Sequence, residues 1–222
     1  KLRLTNLELS SLSKEGYRFR SGTTARVMVG VYCALTTCLF LLLWAAGMSP
    51  FDALNHAFST VSTGGFSTRN MSIMHYDSVI IDIILTVFMI LSSMHFGTLF
   101  AIAVKRSFKP LGNSVTRYYL SIIAVISIII MLSLKLQGGY ESWGKALLDS
   151  TFQTASYIST TGFGQADNAL WPLLANTLLL FAAFHCGCSG STTGGIKADR
   201  AFISIKAIYG EFQKRLHPNS MF

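Results

Sequence analysis

The residues of this 222-residue chain best equipped for chemistry stand in two short runs, Ser62-Thr63-Gly64-Gly65-Phe66 and Ser159-Thr160-Thr161-Gly162-Phe163. Neither run sets a nucleophile beside a base. Both crowd neutral oxygen into a few residues, from serine and threonine hydroxyls and from backbone carbonyls that a glycine lets turn freely. Such oxygens can replace the water shell of a cation. Gly65 and Gly162 supply backbone freedom that a Cβ would deny, while Thr63 and Thr160 either add hydroxyls or pack behind the loop.

A third run places Gly187, Gly190, Ser191, Thr192, Thr193, Gly194 and Gly195 close to Lys197. Its composition invites a phosphate-loop reading, but the spacing departs from G-x4-G-K-[ST] and an apolar stretch precedes it in place of a strand. Cys33, Cys38, Cys186 and Cys188 have neither the spacing of a zinc site nor that of a disulfide framework, and are expected to be small packing residues in helices. An intramembrane hydrolase is a rival class, since His56, His95, His185 and several serines are present, yet there is no H-E-x-x-H and no G-x-S-x-G. A non-transporting membrane scaffold is a second rival. Neither accounts for a duplicated loop, and we expect no enzyme activity and no cofactor.

These runs are positioned by apolar blocks. Hydrophobic residues make up 51% of the chain and charged residues 13%, with a mean hydropathy of +0.47, whereas a soluble domain carries about a quarter charged residues. Val27–Met48, Val79–Val104, Tyr118–Leu136 and the stretch from Trp171 through Phe184 read as membrane spans. Between the first two lies a short helix, Ala53–Thr60, and between the second two another, Trp143–Ser156. A further helix through Ile205 leads into the basic tail. Each half therefore reads span, short helix, glycine-centred loop, span. Aligning Gly65 with Gly162 sets Ser62-Thr63 against Ser159-Thr160 and Phe66 against Phe163. Irregular backbone at membrane depth is tolerated only where it is buried in protein or lines a watery path. A short helix that dips in and stops aims its negative C-terminal end at the middle, which favours a cation.

The formal charge of +8 is a topology signal. All Lys and Arg residues except Arg69, Lys135 and Lys145 fall in 1–26, in 105–117 or beyond 196. Basic clusters that alternate with apolar blocks mark cytoplasmic segments, so nucleic acid is not the expected partner. The expected segments are a cytoplasmic N-terminal stretch 1–26, a pore repeat 27–104, a cytoplasmic loop 105–117, a second pore repeat with a broken last span 118–205, and a cytoplasmic basic tail 206–222. The chain opens at Lys1 without a methionine and stops at Phe222, and both ends are expected to continue in something longer.

Several ionisable residues within the blocks are candidates for function. His56 is expected to pack with a hydrogen bond in preference to touching an ion, and His95 and His185 to bond between helices. Asp82 is expected to be solvated or capped, near the outer surface. Asp149 either strengthens the local negative field or faces solvent. Lys197 is either an electrostatic contributor to the glycine-rich run or an inside-facing anchor. Trp44, Trp143 and Trp171 are expected at the outer membrane boundary.

Whole stretches resemble the Trk/Ktr/HKT family of potassium transporters, most closely the TrkH type. They are Ala57-Phe58-Ser59-Thr60 into Thr63-Gly64-Gly65-Phe66-Ser67-Thr68, Ile158-Ser159-Thr160-Thr161-Gly162-Phe163, Gly187-Cys188-Ser189-Gly190-Ser191-Thr192-Thr193-Gly194-Gly195-Ile196-Lys197, and Lys214-Arg215-Leu216-His217-Pro218-Asn219. The resemblance implies an all-α membrane protein built of span–pore-helix–span repeats, four to a pore, of which this chain is similar to the second and third. It implies K+ as substrate, with a carbonyl filter at Ser62 to Phe66 and Ser159 to Phe163, and a gate at Gly187–Gly195 with Lys197. The implied partners are the remaining repeats, a second copy of the full-length subunit, a cytosolic nucleotide-binding ring of the TrkA or KtrA kind, and membrane lipid. The implied location is the inner (plasma) membrane.

Overall fold

The computed structural model describes residues 21–105 and 109–216. Lys1, Arg3, Lys14, Arg18, Arg20 and Arg106 and the tail from His217 onward lie outside the described residues, so the cytoplasmic segments expected at 1–26, 105–117 and 206–222 are covered only in part. In chain order the helices are α1 (Ser21–Ala45), α2 (Pro50–Val61), α3 (Val79–Ser92), α4 (Phe96–Lys105), α5 (Ser114–Leu136), α6 (Trp143–Ile158), α7 (Leu173–Phe184) and α8 (Ala198–Leu216), with three short 3₁₀ turns between them. Among the described residues there is no strand, only an isolated bridge between His185 and Ile196. The fold is all-α.

Helices α1 and α5, at 25 and 23 residues, are roughly 35 Å long at 1.5 Å per residue, enough for a hydrocarbon core of about 30 Å. Their outward faces carry exposed Leu41, Leu42, Val125, Ile128 and Leu132, as expected where lipid is the solvent. Cys33 and Cys38 also sit exposed on α1 and are not packing residues. The short helix α2 starts where Pro50 occupies the first turn and the Ser49 hydroxyl accepts from the Asp52 N–H at 3.1 Å.

The second span does not run straight through Val79–Val104 as its composition suggests. α3 and α4 meet at an angle of 108° across Ser93-Met94-His95. Ser92 and Ser93 turn their hydroxyls back onto the Met89 carbonyl, at 3.0 and 2.6 Å, an alternative to continuing the helical ladder. The orphaned backbone groups are satisfied from elsewhere: the Cys188 N–H donates to the Ser93 carbonyl at 2.8 Å and the Phe96 N–H to the Gly190 carbonyl at 3.2 Å. A buried break of this kind is stable only with such partners. The last helix also departs from expectation, continuing past Ile205 to Leu216.

Two cores divide the molecule. One gathers Leu39, Leu43, Leu85 and Met89 from the first half, with Phe152, Ala155 and Phe163 inserted from the second. The other gathers Tyr119, Ile126, Ile130, Ile158 and Leu179, with Met94 inserted from the first half. Trp44 and Trp143 are half exposed, but Trp171 is buried in this second core. The loop before α7 folds inward, so that its indole belongs to the cluster holding Tyr140 and Ala175 and does not face outward as those of Trp44 and Trp143 do.

Candidate functional site

Each short helix ends in a loop of the same shape. Ser62 and Ser159, which follow α2 and α6, are right-handed, with φ of −78° and −77°. The next residues, Thr63 and Thr160, are left-handed at 55° and 56°, and Gly65 and Gly162 are left-handed at 71° and 81°. A left-handed conformation is uncommon for any residue with a Cβ and an outlier for a β-branched one. Two threonines held there at equivalent positions mark a constrained site.

The hydrogen bonds explain how the loops are held and what they leave over. In the first loop the N–H groups of Ser62, Thr63 and Gly64 donate to the carbonyls of Phe58, Thr60 and Ser59, at 3.0, 3.1 and 2.7 Å. In the second, those of Ser159, Thr160 and Thr161 donate to Ala155, Tyr157 and Ser156, at 2.9, 3.0 and 3.0 Å. The first three N–H groups of each loop, and in the second loop the Gly162 N–H as well, on the Ser156 carbonyl at 3.1 Å, are thus taken up by the last carbonyls of the loop's own helix. No hydrogen bond among the described residues engages the carbonyl oxygens of Thr63, Gly64, Gly65, Thr160, Thr161 or Gly162. A row of uncommitted carbonyls beyond a helix C-terminus is a cation-binding arrangement.

The two loops adjoin each other. A Cβ on Gly65 would fall on the Thr161 carbonyl oxygen, so only glycine permits this approach. Phe163 is 1% exposed and lies against the His56 ring at 5.8 Å, inside the first half's core. Its repeat counterpart Phe66 is 81% exposed, because the described residues place no comparable half on that side. His56 itself is fully buried, bonded to the Asp52 carbonyl at 2.7 Å and the Ser67 hydroxyl at 2.9 Å, which fits a packing role.

The glycine-rich run joins both loops. The Thr63 hydroxyl donates to the Thr192 carbonyl and the Gly194 N–H to the Thr160 hydroxyl, each at 3.2 Å. Its base is closed by Cys186 N–H to the Ile196 carbonyl at 3.1 Å and Ala198 N–H to the Gly187 carbonyl at 2.9 Å. A Cβ at Gly187 would stand 2.5 Å from the Ser93 carbonyl oxygen, which explains that glycine. Lys197 folds back, its ammonium donating to the Thr193 carbonyl, and so contacts the run itself. Cys186 and Cys188 belong to this strap and to no helix, and both are free thiols. His185 bonds the Tyr118 hydroxyl of α5 at 3.0 Å.

The sequence reading missed a set of buried tethers behind the loops. Asp52 accepts from the Thr68 hydroxyl at 2.6 Å and from Arg69 at 2.8 Å. The Thr68 hydroxyl and the Arg69 guanidinium hold its carboxyl well below the usual carboxylate range. Asp149 is buried rather than solvent-facing and accepts from the Tyr140 hydroxyl at 2.7 Å and the Gln165 amide at 2.9 Å. The same Gln165 amide reaches Asp82 at 3.0 Å, so Asp82 is buried and partnered across the two halves. The register that pairs Gly65 with Gly162 also pairs Asp52 with Asp149 and Thr68 with Gln165, and following it outward from the loops would have found them.

Comparison with known proteins agrees with this geometry. The profile of a family described as TrkH, cation transport protein, matches residues 21–222. The Trk system potassium uptake protein TrkH of Salmonella typhimurium is 35% identical over 206 residues, which cover 92% of this chain and 43% of that protein. TrkH of Halomonas elongata is 37% identical over 199 residues, covering 89% and 41%. TrkG of Escherichia coli is 31% identical over 204 residues, covering 91% and 42%. The crystal structure of the potassium transporter TrkH from Vibrio parahaemolyticus superposes with a TM-score of 0.83 at 33% identity, covering 93% of this chain and 45% of that one. The chain spans less than half the length of the relatives it matches.

Proposed function

The chain belongs to the TrkH family of cation transport proteins, and from that premise we propose that it forms two adjacent quarters of a potassium uptake pore. The observation that carries the reading is the pair of loops with matching left-handed residues, committed N–H groups and uncommitted carbonyls, set side by side. K+ would pass in single file along the segments Ser62 to Phe66 and Ser159 to Phe163, with no chemistry performed on it. It would pass chiefly on the carbonyls of Thr63, Gly64, Gly65, Thr160, Thr161 and Gly162, because those of Ser62 and Phe163 already accept from the Thr63 and Ser156 hydroxyls. The strap Gly187–Gly195, with Lys197, would gate the path from below the loops. Its hydrogen bonds to Thr63 and Thr160 support that place for it.

Two loops cannot surround an ion, so the proposal requires two further repeats from the same transporter. It also takes the pore to the inner (plasma) membrane with basic ends cytoplasmic, as a dimer of full-length subunits docked on a nucleotide-binding ring. Uptake of K+ by the full-length reading frame, in cells lacking their own uptake systems, tests the whole. Growth no better than an empty vector at low K+, with the protein present in the membrane, would remove the reading.

Repeat geometry offers a further check. Phe163→Ala is expected to lower stability by about 3–5 kcal/mol, the range for a buried Phe, read as a fall in the thermal midpoint of the purified full-length protein. If a preceding repeat receives Phe66 as the first half receives Phe163, Phe66→Ala should lower the midpoint comparably. A neutral Phe66→Ala would exclude a neighbour on that face.

A further inference from the structure

We propose that Asp52 and Asp149 are positioning residues that set the height of the two filter loops, a role resting on the filter reading above. Each carboxylate stands nine residues before the last residue of a pore helix, Asp52 in the first turn of α2 and Asp149 near the middle of the longer α6, and each binds the residue three beyond the loop glycine. The chain descends the helix, turns through the loop, and returns alongside the helix to the level of the carboxylate, which ties it. Loop entry is fixed by the helix's last carbonyls and loop exit by this strut. The length between these anchors determines where the free carbonyls stand.

The two struts use different chemistry. Asp52, 3% exposed, has one oxygen on Thr68 and the other on Arg69, an ion pair whose arginine side chain is 43% exposed. Asp149, 2% exposed, accepts from neutral donors alone among the described residues, Gln165 and Tyr140. Gln165 holds two carboxylates with one amide group, its second bond crossing to Asp82 on α3 of the first repeat. The second strut thereby fixes its own loop and also the spacing between adjacent repeats. Further clamping comes from the first repeat's turn at Ser72–Tyr76, where the N–H groups of Ile73 and Met74 donate to the Gly164 carbonyl at 3.1 and 3.2 Å.

Loss of the strut should therefore degrade discrimination between ions, because carbonyl spacing and rigidity decide it. In proteoliposomes carrying the full-length protein, Asp149→Ala is expected to lower the K+-to-Na+ flux ratio by about tenfold, the order of one lost charge-assisted hydrogen bond. Asp149→Asn, which retains an acceptor for Gln165, should restore most of the ratio. Gln165→Met provides a second route should Asp149→Ala fail to fold, and should reproduce the loss. Asp52→Ala should act in the same direction. An unchanged ratio in Asp149→Ala or in Gln165→Met at normal membrane yield, or Asn as damaging as Ala, overturns the strut. A wild-type protein that passes no K+ would instead overturn the filter reading on which the strut rests.

Discussion

Gly65→Ala is expected to abolish potassium-dependent growth when the full-length reading frame is expressed in uptake-deficient cells. Two costs combine at this position. The backbone is left-handed at 71°, which costs a residue with a Cβ about 1–2 kcal/mol. That alone is survivable. The new methyl would also occupy the place of the Thr161 carbonyl oxygen, and a backbone group tied into its own helix cannot step aside as a flexible side chain could. One loop must move, and both lose the spacing on which the proposed cation coordination depends. Growth indistinguishable from wild type at low K+ would contradict the placement of these loops at the filter. Gly162→Ala is the informative partner. Among the described residues nothing lies within 4 Å of its Cβ position, so the left-handed backbone at 81° is the only visible cost. If a further loop follows in the same rotational sense, Gly162 meets it as Gly65 meets Thr161, and the two substitutions should be equally severe. A mild Gly162→Ala beside a lethal Gly65→Ala would mean that no loop lies there.

Excising Ser191–Thr193 from the strap is expected to raise potassium flux severalfold at normal membrane yield. The structure allows the cut because the strap's two ends are already joined below its tip, through the Cys186–Ile196 and Gly187–Ala198 backbone bonds. The excision removes the Thr192 contacts to Thr63 and to the Ser92 carbonyl, together with the Thr193 carbonyl that receives Lys197. It leaves in place the Cys188 bond that repairs the break between α3 and α4. If the tip is a gate, removing it opens the path. Flux that falls while the protein remains in the membrane would make the strap a buttress for the loops.

Much of this was legible in the chain because it depends on local composition and on repetition. Apolar blocks of sufficient length must become spans wherever lipid is the solvent. A short helix followed by a glycine-centred loop, twice in the same order, marks both candidate loops without any contact being known. What composition could not show was the path of the backbone at Ser93-Met94-His95. Those residues lie inside an apolar block long enough for one straight span. The helix breaks there because the Ser92 and Ser93 hydroxyls turn back on it and the strap, distant in sequence, supplies the hydrogen bonds the helix would have made.

The buried polar residues divide in the same way. The sequence alone determined an all-helical membrane chain, its duplicated loops, and which residues carry oxygen into them. Tertiary structure alone decided that Asp149 is buried and tied to Gln165, that Trp171 is packed inside, and that Phe163 is covered where Phe66 is bare. The reason is that burial belongs to neighbours, and a repeat copies a residue without copying what stands beside it. Gly65 and Gly162 show this most clearly. They share type and register and differ by only 10° in φ, yet among the described residues Gly65 has a neighbouring carbonyl against it and Gly162 has none.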